Sequence, residues 1–167
     1  MHRPNQKDFR MTPAQIIDHL QLSQHPEGGW YRQTWQGEND RPANDGRASS
    51  TCIYFLLQSG ESSHWHKVDA TEIWLYHAGA PLILSLSATD QGPAIDHLLT
   101  PDLTKGAPQL IVPECHWQAA RSTGDYTLVS CTVSPGFQFS GFTLADPGFD
   151  IPRADPGSHR NIRHLHQ

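Results

Sequence analysis

The stretch Ser63-His64-Trp65-His66-Lys67-Val68-Asp69-Ala70-Thr71-Glu72-Ile73-Trp74-Leu75-Tyr76-His77-Ala78-Gly79 decides how this chain is read. It contains two strand-like runs, Ser63 to Lys67 and Glu72 to His77, joined by a short turn. Successive strand residues point to opposite faces, so His64 and His66 project to one side. The second strand then carries Glu72 back beside them, as on the inner wall of a β-barrel. Two imidazoles and a carboxylate on one face are donors that suit Fe(II), Mn(II), Ni(II) or Zn(II). Spacing alone is weak support. With eleven histidines in 167 residues, chance supplies roughly 0.7 pairs at His-x-His spacing. A second pair, His164 and His166, lies in a polar tail and has no such setting.

Working outward, nearly everything after the first 26 residues reads as strands broken by Gly, Pro, Asn and Asp turns. The other runs are Gly29 to Trp35, Ser50 to Leu57, Leu82 to Ser87, Ile95 to Leu99, Gln109 to Val112, Trp117 to Ala120, Tyr126 to Val133 and Phe137 to Leu144. Between them lies no helical segment long enough for a crossover. The order therefore predicts an antiparallel sandwich or barrel, not βαβ units. One short helix precedes the strands, with Thr12 as N-cap, Pro13 in the first turn, and Ile16, Ile17 and Leu20 as its apolar face. Residues 1–11 are polar and expected to be flexible, residues 12–146 form a single domain, and residues 147–167 are expected to be a flexible tail with little to bury.

Composition narrows the classes of function. Twelve basic residues against seventeen acidic ones, without a basic stripe, argue against nucleic acid as the main partner. No apolar run approaches the length that spans a bilayer, and the start lacks the apolar core of a signal peptide. Three cysteines, Cys52, Cys115 and Cys131, are an odd number with no shared spacing, so no disulfide framework is expected. A cytoplasmic location fits this composition.

The pattern Gly60-x3-His64-x-His66-x5-Glu72-x6-Gly79 within a mainly antiparallel chain resembles the first motif of the cupin superfamily. It is shorter before the histidine pair and longer after it than the usual form. Pro113-Glu114-Cys115-His116-Trp117-Gln118 stands where the second cupin motif is expected, with Cys115 in the place of a glycine and Gln118 in the place of the last histidine ligand. Four further stretches are similar to a group of small cupins of unassigned function. They are His25-Pro26-Glu27-Gly28-Gly29-Trp30-Tyr31-Arg32, Ser49 to Leu57, Asp69 to Gly79, and Leu128 to Phe137. The resemblance runs from about Met11 to Leu144. It implies an all-β antiparallel double-stranded β-helix, a jelly roll, preceded by one N-terminal helix. It also implies a homodimer.

Within that fold, His64, His66 and Glu72 are the expected pocket cluster and metal ligands, with Gln118 as a weaker fourth ligand through its amide oxygen. The cofactor expected is one divalent ion of Fe, Mn, Ni or Zn. A polar pair in a barrel whose metal site has decayed is the alternative. Tyr31 and Tyr54 are candidates to donate or accept a proton at the pocket, with ordinary packing as the other reading. Trp74 shares the parity of Glu72 and would form a pocket wall, with simple core as the other reading, whereas His77 has the opposite parity unless a bulge reverses it. Phe137, Phe139 and Phe142 would close the barrel mouth or meet a second subunit. Glu27 and Arg32 read as a structural ion pair, Gly28 and Gly29 as positions of positive φ or close approach, and His116 as a surface residue.

Three functions follow. The first is a metal-assisted isomerase or epimerase acting on a small sugar-like or carboxylate metabolite, with Glu72 or a neighbouring histidine moving the proton. The second is an Fe(II)-dependent dioxygenase using His64, His66 and Glu72 as a facial triad. The third is a module that binds a small ligand without turnover.

Overall fold

In a computed structural model, which describes residues 10–39 and 45–154, Thr12 and Gln15 close a reciprocal capping box on helix α1 (Pro13–His19). The Thr12 hydroxyl accepts from the Gln15 N–H at 3.2 Å, and the Gln15 side-chain oxygen accepts from the Thr12 N–H at 2.8 Å. Such a cap is worth about 1 kcal/mol. Seven residues do not hold a helix in water unaided. Ile16, buried with Leu22 against Leu56 of the first sheet, fixes it there.

Among the described residues eleven strands follow in two sheets, with antiparallel neighbours throughout. They are β1 (Ser23–Gln24), β2 (Trp30–Gln36), β3 (Thr51–Gln58), β4 (Ser62–Val68), β5 (Thr71–Gly79), β6 (Leu82–Ser87), β7 (Ile95–Leu99), β8 (Gln109–Val112), β9 (Trp117–Ser122), β10 (Tyr126–Ser134) and β11 (Phe142–Leu144). The first sheet has the order β1-β2-β3-β10-β5-β8 and the second β11-β4-β9-β6-β7. Chain neighbours β4 and β5 thus lie in opposite sheets, which brings the two halves of the 63–79 stretch face to face across the interior. This is the expected mainly β jelly-roll architecture with one short helix in front. Only the two-residue β1 was not predicted, and the run Phe137 to Leu144 divides into a 3-10 turn (Phe139–Gly141) and β11.

Period-two alternation sorts the side chains. On β3, Phe55 and Leu57 face the core between the sheets, while Leu56 faces the helix. Trp74, Leu82, Leu84, Leu99, Val112, Val129 and Cys131 complete that core. Toward the start of β3 and the end of β10 the apolar filling gives way to a cavity, lined in part by Thr51, Ile53, Cys131 and Val133.

The expectation of a flexible tail from residue 147 does not hold for residues 147–154. Ile151 is fully buried with Trp65, Ala94 and Ala145, and Phe149 packs against that cluster. The Trp65 indole N–H donates to Asp150 at 2.8 Å, and Arg153 reaches Ser85 at 3.0 Å and Asp96 at 3.3 Å. Two apolar residues among prolines and charges suffice to pin this segment across the second sheet. Residues 1–9 and 155–167, including His164 and His166, lie outside the described residues. Among the described residues no helix is long and apolar enough to cross a membrane.

Candidate functional site

Two local departures from regular strand geometry build the site. The first is a bulge in β4. Pairing with β9 runs Ser63 to Ala120 and then His66 to Gln118, so β4 carries one extra residue between the two pairs. A bulge of this kind re-aims the side chains that follow it. Ser63 and His66 are both fully enclosed, whereas the His64 and Trp65 side chains meet the C-terminal segment. The His64 ring nitrogen Nε2 donates to the Asp146 carbonyl at 2.9 Å. Strand parity had joined His64 to His66, and the bulge separates them. His64 is therefore not a member of the pocket.

The second departure is the turn His25–Gly29. Its backbone closes with His25 N–H to Gly29 O at 2.9 Å and Gly28 N–H to His25 O at 3.0 Å, and His64 N–H donates to Glu27 O at 2.8 Å. Gly28 (φ 105°) and Gly29 (φ 77°) take conformations that disfavour any side chain. A Cβ at Gly28 would also overlap the Ser62 carbonyl oxygen. The two glycines let the turn press against β4, and so drive Glu27 into the barrel. There it meets not Arg32 but His66, at 2.9 Å. Arg32 instead donates to the Leu20 carbonyl.

The cavity so formed measures about 240 Å³ and is lined by His25, Glu27, Tyr31, Gln33, His66, Glu72, Phe137 and Phe139 together with the β3 and β10 residues named above. Of the residues expected there, it gathers His66, Glu72, Tyr31, Phe137 and Phe139. Tyr54 lies on the opposite face of the first sheet, in the cluster under α1 and beside His77. Trp74 belongs to the core beneath the cavity, and its indole N–H donates to the Gln118 side-chain oxygen at 2.9 Å. His77 Nε2 is bonded to the Ser130 hydroxyl on the outer face. Two members were not singled out as functional from the sequence, His25 and Glu27. The turn Pro113 to Trp117 holds Cys115 at φ 61°, the conformation for which a glycine would be the ordinary choice.

Charge in the cavity is held in a chain. His66 uses both ring nitrogens, Nδ1 donating to the His64 carbonyl at 2.7 Å and Nε2 to Glu27. Burial works to lower its pKa, but the Glu27 charge and hydrogen bond, then Glu72, raise it to about 9. His66 is thus an imidazolium at neutral pH. Burial works to raise Glu27, yet the His66 charge and hydrogen bond hold it below the usual carboxylate range. Glu72 has no such partner. Burial pushes it up to about 7, only partly offset by the His66 charge. Its Oε2 is buried without a hydrogen bond, as is the Gln118 amide nitrogen. That amide is close enough to favour the Glu72 carboxylate, but the pair makes no hydrogen bond of good geometry. His25 is lowered, chiefly by burial. Its Nδ1 accepts the Glu27 N–H at 3.2 Å, which leaves the proton of the neutral ring on Nε2. Burial, with Glu72 and Glu27, raises the Cys131 thiol well above its ordinary value, so it is a wall and not a nucleophile.

These donors do not fit a transition metal. Gln118 gives its oxygen to Trp74, whose indole N–H can only donate, and so turns an NH₂ toward Glu72. Neither nitrogen of the His66 imidazolium has a free lone pair, and His64 is elsewhere. Among the described residues no group of three or more His, Cys, Asp or Glu side chains converges as a metal site.

Comparison with known proteins agrees with the fold. A protein of Shewanella oneidensis superposes with a TM-score of 0.75 at 36% identity, over 82% of this chain and 86% of that one. A hypothetical protein from Leishmania major gives a TM-score of 0.73 at 29% identity, over 81% and 88%. An oxalate decarboxylase of Bacillus subtilis matches 73% of this chain and 29% of its own at a TM-score of 0.53 and 10% identity, a likeness of fold alone. No curated protein matches the sequence. The family model described as Cupin superfamily (DUF985) aligns with residues 14–145, and on that match over most of its length the chain belongs to the cupin superfamily.

Proposed function

We propose that the cavity is a metal-free acid–base site that moves a proton on a small carbonyl metabolite, in an isomerase- or epimerase-type reaction. The observation that carries this is Glu72, an enclosed carboxyl lining the cavity with one oxygen outside any hydrogen bond, whose burial pushes its pKa up to about 7. A general base works best when its pKa lies near the operating pH. In the carboxylate form Glu72 takes a proton from the carbon beside the carbonyl and returns it. His25 lines the same cavity with the proton of its neutral ring on Nε2, and is suited to hydrogen-bond the oxygen on which charge develops. The His66–Glu27 pair is positional. It keeps a fixed positive charge beside Glu72, and it costs no reorganisation during the reaction. A cavity of about 240 Å³ holds about eight waters at ~30 Å³ each, enough for a small metabolite only.

The test is proton NMR in D₂O with a panel of small aldoses, ketoses and amino-carbonyl compounds. Wild type should exchange deuterium into the carbon beside the carbonyl of one class, with or without EDTA. Glu72→Gln should slow that exchange by about 10²-fold or more. Absence of exchange across the panel, alongside a ligand that raises the melting temperature, would favour the non-catalytic binding reading instead.

A further inference from the structure

We propose that this cavity selects a small organic amine without any anionic group, its nitrogen on Glu72 and its apolar body against Tyr31, Phe137 and Phe139. The inference deepens the reading of Glu72 as the centre of the functional site and names the class of molecule that would occupy it.

The first support is the Glu72 carboxyl. It is only 7% exposed, and its enclosed Oε2 lies toward the Gln118 amide without a hydrogen bond. What the carboxyl does expose faces the cavity it lines, where a ligand N–H would meet an acceptor. The second is charge. The lining contains no Lys or Arg. Its one cation, His66, spends Nε2 on Glu27 and Nδ1 on the His64 carbonyl. A carboxylate or phosphate entering here would meet Glu72 and Glu27 with no free charged donor to receive it, and would lose its hydration uncompensated. An ammonium would gain a charge-assisted bond to Glu72.

The third is the aromatic mouth. Phe137 and Phe139 meet edge to face at 5.0 Å, and Tyr31 stands against His25 at 4.5 Å. Phe139 is 57% exposed beside the cavity, a large apolar surface that a ligand body would cover. Rings of this kind also attract an organic cation by their faces. Ile53, Val68 and Val133 make much of the remaining wall. A polyhydroxylated sugar would leave most of its hydroxyls facing apolar side chains, whereas an amine with a compact apolar body matches both ends.

The experiment compares isosteric probes, benzylamine, benzyl alcohol and benzoate, and then cyclohexylamine with its alcohol and carboxylate, by calorimetry and thermal shift. Wild type should bind at least one of the two amines about tenfold or more tightly than the matching alcohol, with no stabilisation by the carboxylate. Glu72→Gln should reduce the amine to the level of the alcohol. Phe139→Ala, at an exposed position where folding is not at risk, should weaken amine and alcohol alike. Carboxylates binding as well as amines, or neither amine binding at millimolar concentration, would overturn the inference. Amine selectivity without deuterium exchange would leave it standing and sink only the catalytic reading, while exchange on a carboxylate or phosphate ester would do the reverse.

Discussion

Replacing Glu72 by Gln should stabilise the protein, and by an amount that grows with pH. Folding raises the Glu72 pKa from 4.5 to about 7. A carboxyl raised in this way favours the folded state while it is protonated in both states. The advantage is lost as pH rises from the unfolded value through the folded one, because the unfolded chain then ionises more easily. A shift of that size corresponds to about 3 kcal/mol once both states are ionised, since each pKa unit is worth about 1.4 kcal/mol. At pH 5 most of this penalty is absent, and at pH 8.5 it is nearly complete. Glutamine keeps the shape and never ionises, so the stability difference between variant and wild type should grow by about 2–3 kcal/mol between those pH values. Part of that gain is offset because the Glu72 charge also helps to hold the proton on His66. Urea denaturation of both proteins at pH 5, 7 and 8.5 measures the difference directly. A difference that stays constant with pH, or one in which wild type gains on the variant as pH rises, would mean that Glu72 is ionised and well partnered in the folded protein.

Three other predictions follow from particular contacts. His64→Ala should leave ligand binding in the cavity intact, whereas His66→Ala should abolish it and destabilise the fold by about 3–5 kcal/mol by stranding the Glu27 charge; calorimetry and thermal melts separate the two. Gly28→Ala should be far more destabilising in thermal melts than Gly60→Ala, because both positions have positive φ but only Gly28 also presses on the Ser62 carbonyl. Ile151→Ala should cost about 2–5 kcal/mol in denaturant unfolding, since this residue is wholly buried under Trp65.

The fold was legible because its signals are local and repeated. Alternating runs, turn residues and the Thr12 cap each decide a few residues, and together they left little room for another architecture. The site was legible only in part. His66 and Glu72 face one another as strand parity and turn length require. His64 does not, because one extra residue between Ser63 and His66 inverts its side, and a bulge leaves no mark in composition. Glu27 carried a signal in the two glycines after it, which require a close backbone approach. Pairing it with Arg32 preferred a near neighbour in sequence, whereas the turn's contact with β4 delivers it to His66, thirty-nine residues on. Tyr54 fell on the wrong face because β3 is covered on both sides, by the core and by α1, so burial alone did not distinguish them. The average polarity of the tail hides Phe149 and Ile151, which need only one exposed apolar surface on which to settle.

The site as described turns on His66 being a buried imidazolium paired with Glu27, and not a metal ligand. Long-range proton–nitrogen NMR of the histidine rings, with His66→Gln as the assignment control, tests it most directly. Both His66 nitrogens should be protonated at pH 7.5, lose a proton only near pH 9, and show no response to Zn(II), Mn(II) or EDTA. A neutral ring at pH 7.5, or a ring nitrogen whose resonance moves when metal is added or removed, would contradict it.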